Sequence, residues 1–287
     1  MSGSYNRALY NSRNDKVMDF FVWLLLGVFT VITLYPLIYV VSLAFSSTNA
    51  IVAGRVWLFP VEPTLNHFNL ILHHELLPRS FLNSAFYTVT GTAYSLFLTV
   101  IGAYVLSKRD LVGGRFFMLF IVFTMLFSGG LIPMFLVVKD VGMYNSWLSM
   151  VIPFAISQWN LILIRTYIRT IPESLFEAAR IDGANGRQVF WRITLPLLQP
   201  IVLLVFIITT ISSYNVFTQV YIMTSGAQGS GGATLRTMVF DIYENAFRYF
   251  RTGYAAAEAV ILFLIILILT FIQFGLSGIA SGKEQKK

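Results

Sequence analysis

The chain contains no cysteine. Disulfides, thiolate metal sites and cysteine nucleophiles are therefore excluded, while the compartment is left open. Charge is scarce as well. Only 11% of the 287 residues are charged, against about 25% in a soluble globular domain. The few histidines, His67, His73 and His74, fall in one loop with Glu75 as the only nearby carboxylate. That loop is read as solvated, and no metal site is expected in it.

What is abundant is apolar. Hydrophobic residues make up 56% of the chain and the mean hydropathy is +0.72, which points to lipid as the main solvent. Backbone polar groups in lipid must be satisfied internally, so long apolar runs read as helices. A membrane barrel would show alternating segments of about 10 residues; the runs here are longer and do not alternate. The net charge of +7 is assigned to basic loops that set topology, and no nucleic-acid partner is expected.

A bilayer core needs about 20 helical residues to cross it. Six stretches are read as spans: Val17–Phe45, Phe81–Leu106, Phe116–Val138, Trp147–Ile164, Leu197–Met223 and Gly253–Leu276. Ser128-Gly129-Gly130 and Pro133 are expected to break the third. The first is too long for a signal-peptide core of about 7–15 residues, so it reads as uncleaved. The fold class is thus all-α, a polytopic membrane protein with six transmembrane helices. Residues 1–16 form an N-terminal segment, 17–80 the first span and a loop, 81–276 a core of five spans, and 277–287 a tail.

Lys and Arg divide unevenly between the two sides. Fourteen fall in the lead, the 107–115 loop, the 165–196 segment and the tail, and six in the remaining loops. The excess places both termini in the cytoplasm. Segments 46–80, 134–146 and 224–252 are then external. The last begins Gly-rich, from Ser225 to Gly232, and continues as an aromatic stretch expected to lie on the membrane surface.

The cytoplasmic segment 165–196 is the most informative. Pro172 starts a helix with Glu173 in its first turn, as the dipole favours. Leu175, Phe176, Ala179 and Ile181 give it an apolar face. Gly183, Asn185 and Gly186 supply a turn, and a second helix with Phe190, Trp191 and Ile193 is expected to close at Pro196. An amphipathic loop resting on headgroups would also read this way.

Glu177-Ala178-Ala179, Gly183 and Ile193-x-Leu195-Pro196 resemble the EAA motif, E-A-A-x3-G-x9-I-x-L-P, extended by Asp182 in Ile181-Asp182-Gly183-Ala184. That motif belongs to permease subunits of binding-protein-dependent ABC importers. The closest likeness is to the carbohydrate type, which is similar to the maltose permeases. Thr33-Leu34-Tyr35-Pro36, the stretch Phe127–Pro133, and Phe247-Arg248-Tyr249-Phe250 with Gly253-Tyr254-Ala255-Ala256-Ala257 support it.

The resemblance implies the type I ABC importer permease fold and a coupling helix at about 172–186. Glu177 would pair with a basic residue of a cytoplasmic ATPase, Ala178 and Ala179 would pack on it, and Gly183 would end the helix. It implies a second permease subunit, as a heterodimer, two cytoplasmic ATPase subunits and an external or periplasmic solute-binding protein. The setting is the bacterial inner membrane and the cargo a sugar, an oligosaccharide. The chain has no Gly-x4-Gly-Lys-Ser/Thr loop, so ATP and magnesium belong to the partner ATPases and no cofactor or catalytic residue is expected here.

Polar residues inside spans are costly and mark candidate pathways. Ser212, Asn215 and Gln219 share one face of a continuous helix, and Tyr214 offers an aromatic surface to a sugar. Helix packing is the competing reading. Asn160 is a further candidate, although it could satisfy backbone near Pro153. Glu258, near the outer end of the last span, is expected to face water or a partner. The rival function is an ion-coupled secondary transporter, which would show inverted repeats and buried ionisable relays; neither is evident.

Overall fold

A helix pairs nearly every backbone N–H with a carbonyl of its own segment, which is why apolar runs without water adopt it. The computed structural model describes residues 13–74, 77–127, 129–225 and 235–282, and no strand occurs among them. The Gly-rich stretch 226–232, Ser128, Glu75, Arg7 and the tail lysines lie outside the described residues.

The principal helices are α1 (Arg13–Ala44), α2 (Leu77–Ser107), α3 (Gly114–Leu126), α4 (Leu131–Asp140), α5 (Gln158–Ile168), α6 (Glu173–Ile181), α7 (Gln199–Tyr214), α8 (Thr218–Ser225), α9 (Met238–Tyr243) and α10 (Thr252–Gly282). Among the described residues, Lys16–Ala44, Leu77–Ser107, Gln199–Met223 and Thr252–Gly275 are long and apolar enough to cross a membrane. The pair α3 and α4 passes the same test together but is bent by 117°. The break falls at the expected place: Gly130 has φ 85° and precedes α4. Pro133 sits in the first turn of α4, where a missing N–H costs no intrahelical bond.

Two expectations of continuous helix do not hold. Residues 147–164 form a short turn of helix, Leu148–Val151, and then α5, with Pro153 in the gap. Ser157 restarts the helix as its N-cap, its hydroxyl accepting from the Asn160 N–H at 3.4 Å. The fifth stretch is also interrupted. Asn215 caps α7, its backbone N–H and side-chain amide both donating to the Ile211 carbonyl, and α8 begins only at Thr218.

The chain divides into two compact units. The first takes in the described residues of Met1–His73 and Asn245–Ile261. Side chains of α1 are exposed from Lys16 to Ile38, as suits a span surrounded by lipid or another subunit. Beyond it, the Ser42 hydroxyl donates to the Leu58 carbonyl at 2.7 Å and the Ser46 hydroxyl accepts from the Val61 N–H at 3.0 Å. Ser47 caps the helix Thr48–Val52 and also donates to Glu62, which pairs with Arg55 at 2.8 Å. The Ser47 hydroxyl and then Arg55 hold the Glu62 carboxyl below its ordinary pKa. His67 is not solvated as the sequence suggested. It is buried, with Nε2 3.1 Å from the Ser46 carbonyl.

The second unit takes in the described residues of His74–Glu244 and Leu262–Lys287. Its core is where α2, α5 and α7 meet: Val100 and Ala103, Leu161, Ile164 and Ile168, and Ile201 and Val205, with Leu198. The buried face of α2 is mostly small and hydroxylic. Ser80, Ser84, Thr88, Thr92, Ser95, Thr99, Ala103 and Ser107 recur three or four residues apart, one helical stripe. Small residues let helix backbones approach closely where lipid gives no hydrophobic drive. Accordingly a Cβ on Gly102 would lie 3.4 Å from Leu161.

Candidate functional site

Segment 172–198 is built largely by local rules. Pro172 stands at the N-cap of α6 with extended ψ, and Glu173 occupies the first turn. The Glu173 carboxylate also lies 3.1 Å from Arg109, an exposed pair that contributes little stability by itself. Arg180 stands in the last turn, where the dipole favours a cation. The helix then ends in a Schellman arrangement: the Ala184 N–H reaches the Ala179 carbonyl at 2.9 Å, and the Gly183 N–H reaches that of Arg180 at 3.0 Å. Gly183 has φ +80° and nothing lies within 4 Å of where its Cβ would be. Its requirement is therefore the left-handed dihedral alone.

Asn185 opens the next helix with a capping box. Its side chain accepts from the Gln188 N–H at 2.9 Å, and the Gln188 side chain accepts from the Asn185 N–H at 2.8 Å. The expectation that Pro196 closes this helix is overturned. The chain passes through a π turn at Phe190–Thr194, stays helical over Leu195–Leu197, and resumes in α7 after Leu198. The π turn shifts the pairing: the Leu195 N–H bonds the Phe190 carbonyl and the Thr194 hydroxyl donates to the Val189 carbonyl at 3.3 Å. Proline, which has no N–H to give, is thereby carried inside a helical run.

The motif residues divide by exposure. Ala179 is buried, whereas Glu177, Ala178, Asp182 and Gly183 are exposed, as is Pro196; Ile193 and Leu195 are half-buried. Large apolar side chains also stand in the open: Leu175, Trp191 and above all Ile181, which is 85% exposed. Leu175, Ala178 and Ile181 recur every three residues along α6, so they form one exposed row with Glu177 beside it. Next to the row is a cleft of about 390 Å³ whose walls include Tyr104, Lys108, Arg109, Arg180, Phe176 and Glu177. The Lys108 ammonium sits 5.2 Å from the centroid of the Tyr104 ring.

The intramembrane candidates separate into exposed and buried sets. Ser212 and Asn215 are exposed and Gln219 half-buried; the interruption after Asn215 leaves the first two at the end of α7 and places Gln219 on α8. Tyr214 is buried. Asn160 is buried too, donating to Thr209 at 3.2 Å. Gln273 donates to Thr210 at 2.9 Å, so α7 is tied on one side to α5 and on the other to α10. Glu258 was expected to face water or a partner; the structure instead buries it completely within the chain, in the opening turns of α10.

Two features escaped sequence reading. The hydroxyl stripe of α2 was available as a period of three to four residues, but it hides among apolar neighbours. An ion cluster in the second unit was not available. Arg236 pairs with Asp241 and, at 2.9 Å, with Glu244. The Ser80 hydroxyl donates to Asp241 at 2.9 Å and the Ser84 hydroxyl accepts the Met238 N–H at 3.0 Å. This cluster fastens residues 236–244 to the first turns of α2.

Comparison with known proteins bears on the geometry. The family described as "Binding-protein-dependent transport system inner membrane component" matches residues 95–277. The polygalacturonan/rhamnogalacturonan transport system permease protein YtcP of Bacillus subtilis (strain 168) is 37% identical over 203 residues, 71% of each chain. The probable ABC transporter permease protein YurM of the same organism is 28% identical over 91% of this chain and 87% of its own. Among solved structures, a chain of a bacterial ABC transporter involved in the import of the acidic polysaccharide alginate superimposes with a TM-score of 0.77 at 31% identity, covering 93% of this chain and 97% of that one.

Proposed function

Since the chain belongs to the family of binding-protein-dependent transport system inner membrane components, we propose that segment 172–196 is where this permease meets the ATPase that drives it. The chain is a permease subunit of a sugar ABC importer. In the proposed assembly it pairs with a second permease to enclose the pathway, two ATPase subunits bind ATP and magnesium on the cytoplasmic side, and an external solute-binding protein delivers an oligosaccharide. Both termini lie in the cytoplasm, as the distribution of Lys and Arg favours.

The observation that carries the reading is the exposed row on α6. Leaving Leu175, Ala178 and Ile181 in water has no structural benefit for the chain alone. Set beside the Glu177 carboxylate, the row makes a short amphipathic helix suited to a groove with a basic residue at its rim. Ala178 allows close approach, and the fixed ends of α6 let it move as a rigid piece. Closure of two ATPases on ATP would then be passed through α6 to α5 and α7.

Ser212 and Asn215 are the side chains proposed to face the solute, because they are exposed on a membrane-spanning segment. Acidic glycans are the first candidates, since the relatives above handle polygalacturonan and alginate. The test is co-purification and uptake in the assembled system. Ile181→Asp and Glu177→Lys should reduce ATPase recovery and uptake by at least about tenfold, each costing more than roughly 1.4 kcal/mol of docking energy, while the second permease is retained. Uptake that proceeds with no ATPase bound refutes the proposal.

A further inference from the structure

Beyond Ala44 the chain turns back along the helix it has just left. The Thr64 N–H bonds the Phe45 carbonyl at 2.9 Å, and the Ser47 N–H bonds the Val61 carbonyl at 3.2 Å. The Ser46 hydroxyl accepts from the Val61 N–H at 3.0 Å, and the Ser42 hydroxyl donates to the Leu58 carbonyl at 2.7 Å. From Val61 back to Leu58 the partners step from Ser46 to Ser42, so this stretch runs down alongside the end of α1. Ser42 stands two residues, about 3 Å, inside the last residue of that helix. Leu58 is therefore fixed level with the final turn of a helix long and apolar enough to cross a membrane.

What the chain carries at that level is apolar. Trp57, Leu58, Phe59 and Pro60 are all exposed, Trp57 by 67% and Phe59 by 79%. Neighbouring Val56 is buried, so the turn has an inside and the two rings are its outside. Arg55 is the only charged residue from 48 to 61. Glu62 holds it at 2.8 Å, which leaves no net charge to steer a protein partner. Serine hydroxyls, rather than water, satisfy the Leu58 carbonyl and the Val61 N–H, and Pro60 has no N–H to satisfy. Within Trp57–Pro60 only the indole N–H could fix a partner's register by a side-chain hydrogen bond, whereas lipid requires no register. Tryptophan at the edge of a span is the usual mark of the membrane interface.

We propose that Trp57–Pro60 is a wedge that enters the lipid leaflet in which α1 ends. The Trp57 and Phe59 rings lie at the boundary of headgroups and acyl chains, and the Arg55–Glu62 pair lies among the headgroups. Irregular backbone facing lipid is not tolerated deeper, so the wedge stops at that boundary. Side chains of α1 are exposed from Lys16 to Ile38, so packing within the chain does not set the depth of this span; the wedge does. Only the crossing of α1 is required for this, and neither the ATPase contact nor the side on which the termini lie enters.

The test uses the assembled permease in phosphatidylcholine nanodiscs, without binding protein and with any cysteines of its partners replaced. The chain itself has none, so Trp57→Cys and Phe59→Cys, each keeping the other ring, take a single nitroxide label. Collisions with dissolved oxygen and with a water-soluble nickel chelate, calibrated on lipids labelled at known depths, should place both labels about 5–10 Å into the boundary of headgroups and acyl chains. A second measurement keeps the wedge apolar. The emission that Trp57→Phe removes from wild type should be quenched more by phosphatidylcholine brominated near the headgroup end of its chains than by lipid brominated near the methyl end. Labels that meet the chelate as freely as in water overturn the proposal, as does Trp57 emission that neither lipid quenches. Labels shielded from both colliders would assign the turn to a protein partner, and stronger quenching by the deep bromines would place it in the hydrocarbon core; both overturn an interfacial wedge.

Discussion

His67 and Gly253 show why single residues here resist substitution. In the first unit a Cβ on Gly253 would clash with the Nε2 edge of the His67 ring and lie only 2.7 Å from Ile51. Glycine is needed there for space, whereas Gly183 is needed for its dihedral. The ring that fills the gap is buried and faces the Ser46 carbonyl through Nε2, so the neutral tautomer with its proton on Nε2 fits. Burial lowers the His67 pKa from its ordinary 6.5, and the Ser46 carbonyl opposes that only in part. Below that ordinary value the unfolded chain binds a proton the folded chain resists, so stability falls as pH drops through 6.5 and levels off below the lowered pKa. Thermal unfolding of the purified assembly between about pH 7.5 and 5.5 should show this slope, and His67→Asn should flatten it. Equal slopes in the two proteins would remove His67 as its cause.

At the scale of elements, α6 was legible because its signals are local. Pro172, Glu173, Gly183 and Asn185 each act on backbone groups within a few residues, so spacing alone placed the helix and its ends. The same logic yields a prediction. Gly183→Ala forces a Cβ into the left-handed region at a cost of about 1–2 kcal/mol. It should loosen the last turn of α6, seen as faster amide exchange at position 183 and at Ala184, with uptake reduced and expression kept. Unchanged exchange would mean that neighbouring elements, not the Schellman bonds, hold that end. Elements whose form depends on distant partners were less legible. Pro196 reads as a stop, but the π turn before it and the packing of Leu198 in the α2–α5–α7 core keep the chain helical. Asn215 reads as one more polar side chain on a helix face, yet it bonds its own Ile211 carbonyl and ends the helix. Glu258 reads as water-facing because a carboxylate among apolar residues rarely lies buried, and only the folded chain shows that it does.

For the whole molecule, the absence of cysteine opens a direct test of topology. Lys and Arg counts predict sidedness because charged loops cross membranes with difficulty, but they act through the sum of many loops. Single cysteines placed at residues already exposed report each loop separately and disturb no packing. Ile181→Cys sits on the α6 row and Phe250→Cys on the turn before α10, at 85% and 78% exposure. With both termini in the cytoplasm, a membrane-impermeant maleimide added to intact cells should label Phe250→Cys, and should reach Ile181→Cys only after the membrane is opened. Recovery of bound ATPase should in turn protect Ile181→Cys in inverted vesicles, since the docking groove would cover it. Labelling of Ile181→Cys from outside intact cells would invert the chain and separate α6 from any cytoplasmic motor.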